Sequence, residues 1–277
     1  MSVRKTLANN TAFNALGRGW DALLGLVLTA YIVYRLGAEG YGLWSVVAPF
    51  IGYAALFDIG LGGGYSKFIA EHAAHNDHKK MSEVVSTGLF FYVVFGVVFW
   101  SITWALISIG LPWALNSDLF AGGDLSSEVV VQDIVFLLRW GIVVFIFSNC
   151  LAPFNAIQAG LQRMGVTNAI SSICVVIKCG ATVYFLENGS GVRGLMYSNI
   201  IVTAVFGIMT IVMAYRLCPE LRVNTSHISR ERFRNLFSFG WQTQVSRLAN
   251  LVMFETDILV ITLYLQDLRL VGLYRLG

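Results

Sequence analysis

Four basic residues lie inside long apolar runs, where a charge is out of place. Arg18, Arg139, Lys178 and Arg247 each sit among hydrophobic residues that could otherwise cross a bilayer. A charge at the centre of such a run costs about 2.5–3.5 kcal/mol on insertion scales, so it meets a partner or a watery cavity. At about 1.5 Å per residue, Arg18 falls roughly 12 Å, Lys178 roughly 18 Å and Arg247 roughly 15 Å into its run. Arg139 falls roughly 14 Å in from the opposite side. Four helices thus bring four cations to middle depths. In a low-dielectric setting such a set attracts an anion, and arginine suits paired phosphate oxygens better than lysine does. Asp21, one turn from Arg18, and Asp133, on the outer side of Arg139, offer local ion pairs. Lys178 and Arg247 have no close acid on their own helix. For all four, ion pairing and cavity lining both stay open.

The acids at depth are Asp58, Glu255 and Asp257. They are the candidates for coupling to a proton or a sodium ion, with structural hydrogen bonding as the competing reading. Glu255 and Asp257 are two residues apart, so on one helix they point in different directions. Lys67 lies near a span end and can snorkel to the interface. His72, His75 and His78 stand three apart in a hydrophilic loop, where solvation outweighs metal binding. The four cysteines form no CxxC pair and read as buried free thiols. The segment Gly60-Leu61-Gly62-Gly63-Gly64-Tyr65 lacks the last glycine of a dinucleotide fingerprint and any preceding strand. Its Gly60 and Gly64 form GxxxG, a close-packing signal between membrane helices. No metal, cofactor or enzyme motif emerges.

The elements that must hold these residues are membrane helices. The 277 residues are 56% hydrophobic and only 13% charged, about half the charge of a soluble protein. The net charge of +3 is too small to argue for nucleic acid. Seven spans are expected: Asn10–Tyr34, Gly42–Ala70, Val84–Trp113, Val130–Leu151, Val166–Leu186, Leu195–Leu217 and Phe237–Leu265. Pro153 should bend the extension of the fourth toward Leu161. Arg4 and Lys5 lead into a span too long for a signal-peptide core, with no small-residue cleavage site. With the N-terminus inside, ten loop or span-end cations are cytoplasmic and three (Arg35, Arg193, Arg269) are outside. In SHISRERFRNLF (Ser226–Phe237), Ser229 could cap a short interfacial helix carrying Arg230, Arg232 and Arg234 on its polar side. A plain basic loop is the competing reading.

A weak repeat is visible. Tyr34 and Gly42-Leu43 return as Tyr264 and Gly272-Leu273, and an aromatic follows each time (Trp44, Tyr274). Six intervening spans give the repeat parallel topology, with its axis along the membrane normal.

The stretch from Leu36 to His72 is the most distinctive. LGAEGYGLWS followed by FDIGLGGGYSKFIAEH resembles the start of bacterial polysaccharide flippases, within the multidrug, oligosaccharidyl-lipid and polysaccharide exporter superfamily. The matching residues are Gly37, Tyr41, Gly42, Asp58, Gly60, Leu61, Gly62 and Phe68 to Glu71. The resemblance implies an all-α polytopic membrane protein with two six-helix lobes across a cavity. This chain would hold an N-terminal six-span lobe (1–217), a cytoplasmic linker with an interfacial elbow (218–236) and the truncated start of a second lobe (237–277). It would then be a fragment of a longer transporter.

The resemblance further implies a non-enzymatic flippase of the bacterial inner (plasma) membrane. Its substrate would be a polyprenyl-pyrophosphate-linked oligosaccharide for cell-surface polysaccharide such as O-antigen or lipopolysaccharide. Its partners would be that substrate, membrane lipids and the polysaccharide polymerisation machinery, with no nucleic acid. Arg18, Arg139, Lys178 and Arg247 would bind substrate, and Asp58 would match the family's acid in the second span. A drug or toxin cation antiporter of the same superfamily is the first alternative, and surplus cations at middle depth count against it. A membrane-embedded glycosyltransferase or polymerase is the second. Its expected long outer loop is here the short Ala114–Val129, which holds no cation.

Overall fold

In the computed structural model, the described residues are 3–54, 61–110, 128–241, 256, 258, 260–262 and 267–276. Side chains are placed from residue 19 onward, except at 48–54, 268, 275 and 276. Among these residues the secondary structure is helical, with no strand. The helices are α1 (Val3–Ala54), α2 (Leu61–Ala74), α3 (His78–Ala105), α4 (Glu128–Gly160), α5 (Met164–Glu187), α6 (Gly191–Leu217), α7 (residues 230–241) and α8 (Leu268–Leu276). A π-helical turn, Leu106–Gly110, extends α3. Five stretches are long and apolar enough to cross a membrane: Gly19–Val47, His78–Gly110, Glu128–Gly160, Met164–Glu187 and Gly191–Leu217. The chain is an all-α, multi-pass membrane protein.

Three packed clusters fix the arrangement, because a hydrophobic side chain is held by what it touches rather than by its own helix. Leu28 and Ile32 pack with Leu186 and Leu195. Leu43, Val46 and Val47 pack with Leu137, Val192 and Met196. Leu61, Tyr65 and Ile69 pack with Met81, Val84, Val85, Ile157 and Ala214. The last cluster lies at the end of the bundle that carries Lys79, Lys80, Arg163 and Arg222, called here the basic end. The first two lie at the far end. The chain therefore reaches the far end near Ile32 and returns to the basic end by Leu61. The reversal is at Gly37, whose φ of 72° and ψ of 175° break the helical path of α1. That positive φ is cheap only for glycine. Gly37 is the one residue of α1 with non-helical dihedrals.

The expected extension of the fourth span past Pro153 toward Leu161 is present. α4 runs on through a buried Pro153 to Gly160, because neighbouring helices hold the segment even where a backbone donor is missing. The second expected span is divided between the end of α1 and α2, and residues 55–60, with Asp58 and Gly60, lie outside the described residues. Most of the seventh span lies outside them as well.

The linker between α6 and α7 is strapped along the basic end of α3. The backbone N–H groups of Arg222, Asn224 and Ser229 donate to the hydroxyls of Ser82 (3.1 Å), Ser86 (3.2 Å) and Thr87 (3.0 Å). Arg232 Nε donates to Glu83 Oε2 at 3.2 Å, with both side chains mostly buried. Irregular backbone near a membrane needs such partners. Ser229 caps α7 by accepting from Arg232 N at 3.4 Å, as its position suggested. Arg230 and Arg234 are exposed, and Arg232 turns inward to Glu83 rather than to the polar side. Leu236 of α7 is fully buried against Gly64 of α2. Gly64 of the GxxxG pair is thus a close-packing position.

His72 of α2 is buried, with Nε2 lacking a hydrogen-bond partner among the described residues. Burial, and then the nearby charge of Arg232, lowers its pKa from the ordinary 6.5. The folded protein then resists protonation that the unfolded chain accepts. The stabilisation is complete above the unfolded pKa and is lost as pH falls through about 6.5 toward the lower folded value. Thermal unfolding of the full-length protein should therefore shift to lower temperature between pH 7.5 and pH 5. His72→Gln should flatten that dependence, and an unchanged slope in the variant would assign it to other groups. The other two histidines of the 72–78 stretch engage different neighbours. His75 donates through Nδ1 to the Glu71 carbonyl at 2.8 Å, and His78 Nε2 lies 3.2 Å from Glu220.

Candidate functional site

α5 presents Ser171, Cys174, Val175 and Lys178 at helical spacings of three, four and seven, so one face carries all four. That face meets Val202, Thr203 and Phe206 of α6 and Ser148 of α4, and the residues line a cleft of about 230 Å³. Lys178 is partly buried there, and no carboxylate pairs with its ammonium among the described residues. The cleft is smaller than the roughly 300–1,000 Å³ of a site that encloses a drug-sized ligand. Its wall is built by α4, α5 and α6.

Asp21 reaches the rim of this wall from α1. Its Oδ2 accepts from Ser171 Oγ at 3.0 Å, and its Oδ1 is buried without a hydrogen-bond partner among the described residues. A hydroxyl of α5 holds one oxygen; the expected local pair between Arg18 and Asp21 falls on the Arg18 side chain, which lies outside the described residues. Ser171 could not have been found from its own sequence position, because the contact joins residues 150 apart.

Arg139 is in a different place. α4 lines up Gln132, Phe136, Arg139, Trp140 and Val143 on one stripe, beside Trp100 and Trp104 of α3 and Arg193 of α6, around a cleft of about 540 Å³. The two clefts share no lining residue. The Arg139 guanidinium lies 4.2 Å from the centre of the Trp104 ring, and Nη2 donates to Ser108 Oγ of the π-helical turn at 3.4 Å. The expected partner of Arg139, Asp133, is taken by Arg193, whose Nε donates to Asp133 Oδ1 at 2.6 Å. The reason is that Arg193 starts α6 at the far end and meets Asp133 across the α4–α6 contact, while Arg139 is six residues, more than one turn, further along α4. At the same end Arg35 Nη2 and Tyr31 Oη donate to Glu187 at 2.7 and 2.6 Å, joining α1 to α5.

Of the expected site residues, then, Lys178 lines one cleft and Arg139 another. Arg18 falls in α1 with its side chain outside the described residues. Arg247, Asp58, Glu255 and Asp257 lie outside them altogether. The residues missed by sequence reasoning are Asp21 toward Ser171, Thr203, and the aromatic wall of Trp100 and Trp104. Only the last had a legible signal, two tryptophans four apart.

Residues 7–277 match the family described as polysaccharide biosynthesis protein. The chain is 26% identical over 261 residues to a putative O-antigen transporter of Shigella flexneri, covering 93% of this chain and 58% of that protein. It is 20% identical over 261 residues to an uncharacterized membrane protein, EpsK, of Bacillus subtilis (strain 168), covering 93% of this chain and 48% of that one. The chain therefore spans about half the length of these two relatives. Among solved structures, a transporter of the MOP superfamily from Pyrococcus furiosus superposes with a TM-score of 0.68 at 20% identity, over 93% of this chain and 56% of that one.

Proposed function

From a chain that belongs to the polysaccharide biosynthesis protein family and has the fold of a MOP superfamily transporter, we propose a flippase as the function of the full-length protein. It carries a polyprenyl-pyrophosphate-linked oligosaccharide across the bacterial cell membrane by alternating access. The observation that carries this reading is the Lys178 wall. An ammonium that no carboxylate pairs among the described residues suits a pyrophosphate. Ser148, Ser171 and Thr203 beside it, with the open oxygen of Asp21, suit the hydroxyls of a sugar. A cationic drug would meet the same ammonium as repulsion.

In this reading residues 1–217 are the first lobe, 218–236 the linker, and 237–277 the beginning of a second lobe that supplies the opposite wall. Arg247 belongs to that wall, and Asp58 of the first lobe and Glu255 and Asp257 of the second are the coupling acids. The N-terminus and the basic end face the cytoplasm. The partners are the lipid-linked saccharide and the polymerisation machinery that uses it.

The test is reconstitution of the full-length protein in vesicles with a fluorescent polyprenyl-pyrophosphate oligosaccharide on one leaflet. Protein-dependent loss of the leaflet asymmetry is expected, together with no accelerated release of a cationic dye. Dye release without lipid translocation would overturn the reading in favour of a drug antiporter.

A further inference from the structure

The second cleft differs from the Lys178 wall in chemistry and in position. It is walled by α3, α4 and α6, whereas the contact with α8 is made by α1. Its floor is aromatic, from Trp100, Trp104, Phe136 and Trp140. Its charge is concentrated in one group. Arg193 is neutralised by Asp133, so among the described residues Arg139 is the cation of this cleft that no carboxylate pairs. The Arg139 Nε is buried and has no hydrogen-bond partner among the described residues.

A helical side chain leans toward the N-terminus of its helix. For α4 that is the far end, so Arg139 snorkels toward the interface and stacks on Trp104. Stacking holds the guanidinium flat and leaves its edge to meet a phosphate. Trp104 lies six residues before Gly110, the end of the apolar stretch His78–Gly110, on the side where tryptophans mark the edge of the hydrocarbon. Below the cleft, toward the middle of the bilayer, the exposed surface is apolar: Val97 and Val98 on α3, Val143 and Phe147 on α4. A guanidinium leaning toward the far-end interface above a mainly apolar track is complementary to a phosphate that carries acyl chains. A free sugar would find little to bond on that track.

We propose that this cleft binds an anionic phospholipid of the far-end leaflet, with its phosphate on Arg139 and its acyl chain along Val97, Val143 and Phe147. The site is separate from the translocation wall, and its test does not depend on the transported substrate.

The full-length protein is placed in nanodiscs containing phosphatidylglycerol or phosphatidylcholine with brominated chains, which quench tryptophan at contact. The Trp104 contribution is taken as the difference between the native protein and Trp104→Phe. Brominated phosphatidylglycerol is expected to quench it at about fivefold lower mole fraction than brominated phosphatidylcholine, the preference that one basic group gives near a membrane surface. Arg139→Gln should erase that preference, and Arg139→Lys should keep part of it. Equal quenching by the two lipids, or an undiminished preference in Arg139→Gln, would overturn the proposal.

Should Arg139→Gln fail to fold, competition on the native protein decides. Unlabelled phosphatidylglycerol must relieve the quenching by its brominated form, and unlabelled phosphatidylcholine must not; any other result overturns the site. Displacement by a polyprenyl pyrophosphate at lower mole fraction than phosphatidylglycerol would also overturn it, and would assign the cleft to the transported lipid.

Discussion

Lys178→Gln is expected to reduce lipid-linked oligosaccharide translocation by roughly 10- to 150-fold while the amount of inserted protein is unchanged. The range corresponds to about 1.5–3 kcal/mol for a hydrogen bond to a charged group. Two features make the effect specific. The ammonium has no carboxylate partner among the described residues, so removing it leaves no acid unpaired. Its neighbours in the cleft include Ser148, Ser171 and Thr203, which tolerate a neutral amide. Lys178→Arg should retain most activity, because the charge is what the pyrophosphate requires. Lys178→Met removes charge and polarity together and should behave like Gln. The measurement is surface polysaccharide in a strain lacking its own transporter, with membrane protein quantified in the same cells. Full restoration by Lys178→Gln would remove the cationic wall from the mechanism.

Gly272→Ala should be as damaging by a different route, through loss of the folded protein. A Cβ at Gly272 would fall on the carbonyl oxygen of Ala38 and stand 3.1 Å from the amide nitrogen of Gly42. Both obstacles are backbone, so no change of rotamer relieves them. α8 must move away from α1, at a cost of about 1–3 kcal/mol or more for overpacking. Gly25→Ala is the control. Its Cβ would meet nothing within 4 Å, and alanine favours the helix by roughly 1 kcal/mol. Thermal unfolding of the two variants of the full-length protein should therefore diverge, with Gly272→Ala several degrees below the native protein and Gly25→Ala at or above it. A Gly272→Ala protein as stable as the native one would mean that α8 does not pack closely on α1.

The contact at Gly272 also bears on the repeat. Gly42-Leu43 and Gly272-Leu273 are the pair that suggested internal symmetry. Residues close to a two-fold axis meet their own equivalents, and Gly42 and Gly272 do meet.

Composition and run length by themselves determined that this chain is helical and crosses a membrane several times. Each backbone polar group in hydrocarbon must be satisfied within its own segment, so length and apolarity suffice to mark a span. Glycine identity determined the break at Gly37, and a hydroxyl at Ser229 determined where α7 begins, because both effects act within a few residues. The depth of Lys178 was legible for the same reason.

Which charges share a cavity was decided by the tertiary structure alone. Arg139 and Lys178 lie at similar depths along their helices, yet helical rotation and neighbours send one to the aromatic cleft of α3 and α4 and the other to the wall of α5 and α6. Asp133 went to Arg193 rather than Arg139, and Asp21 found Ser171, through contacts 60 and 150 residues apart. Depth follows from counting along one helix. Pairing depends on the azimuth of two helices about each other, and that is set by the packing of all of them together.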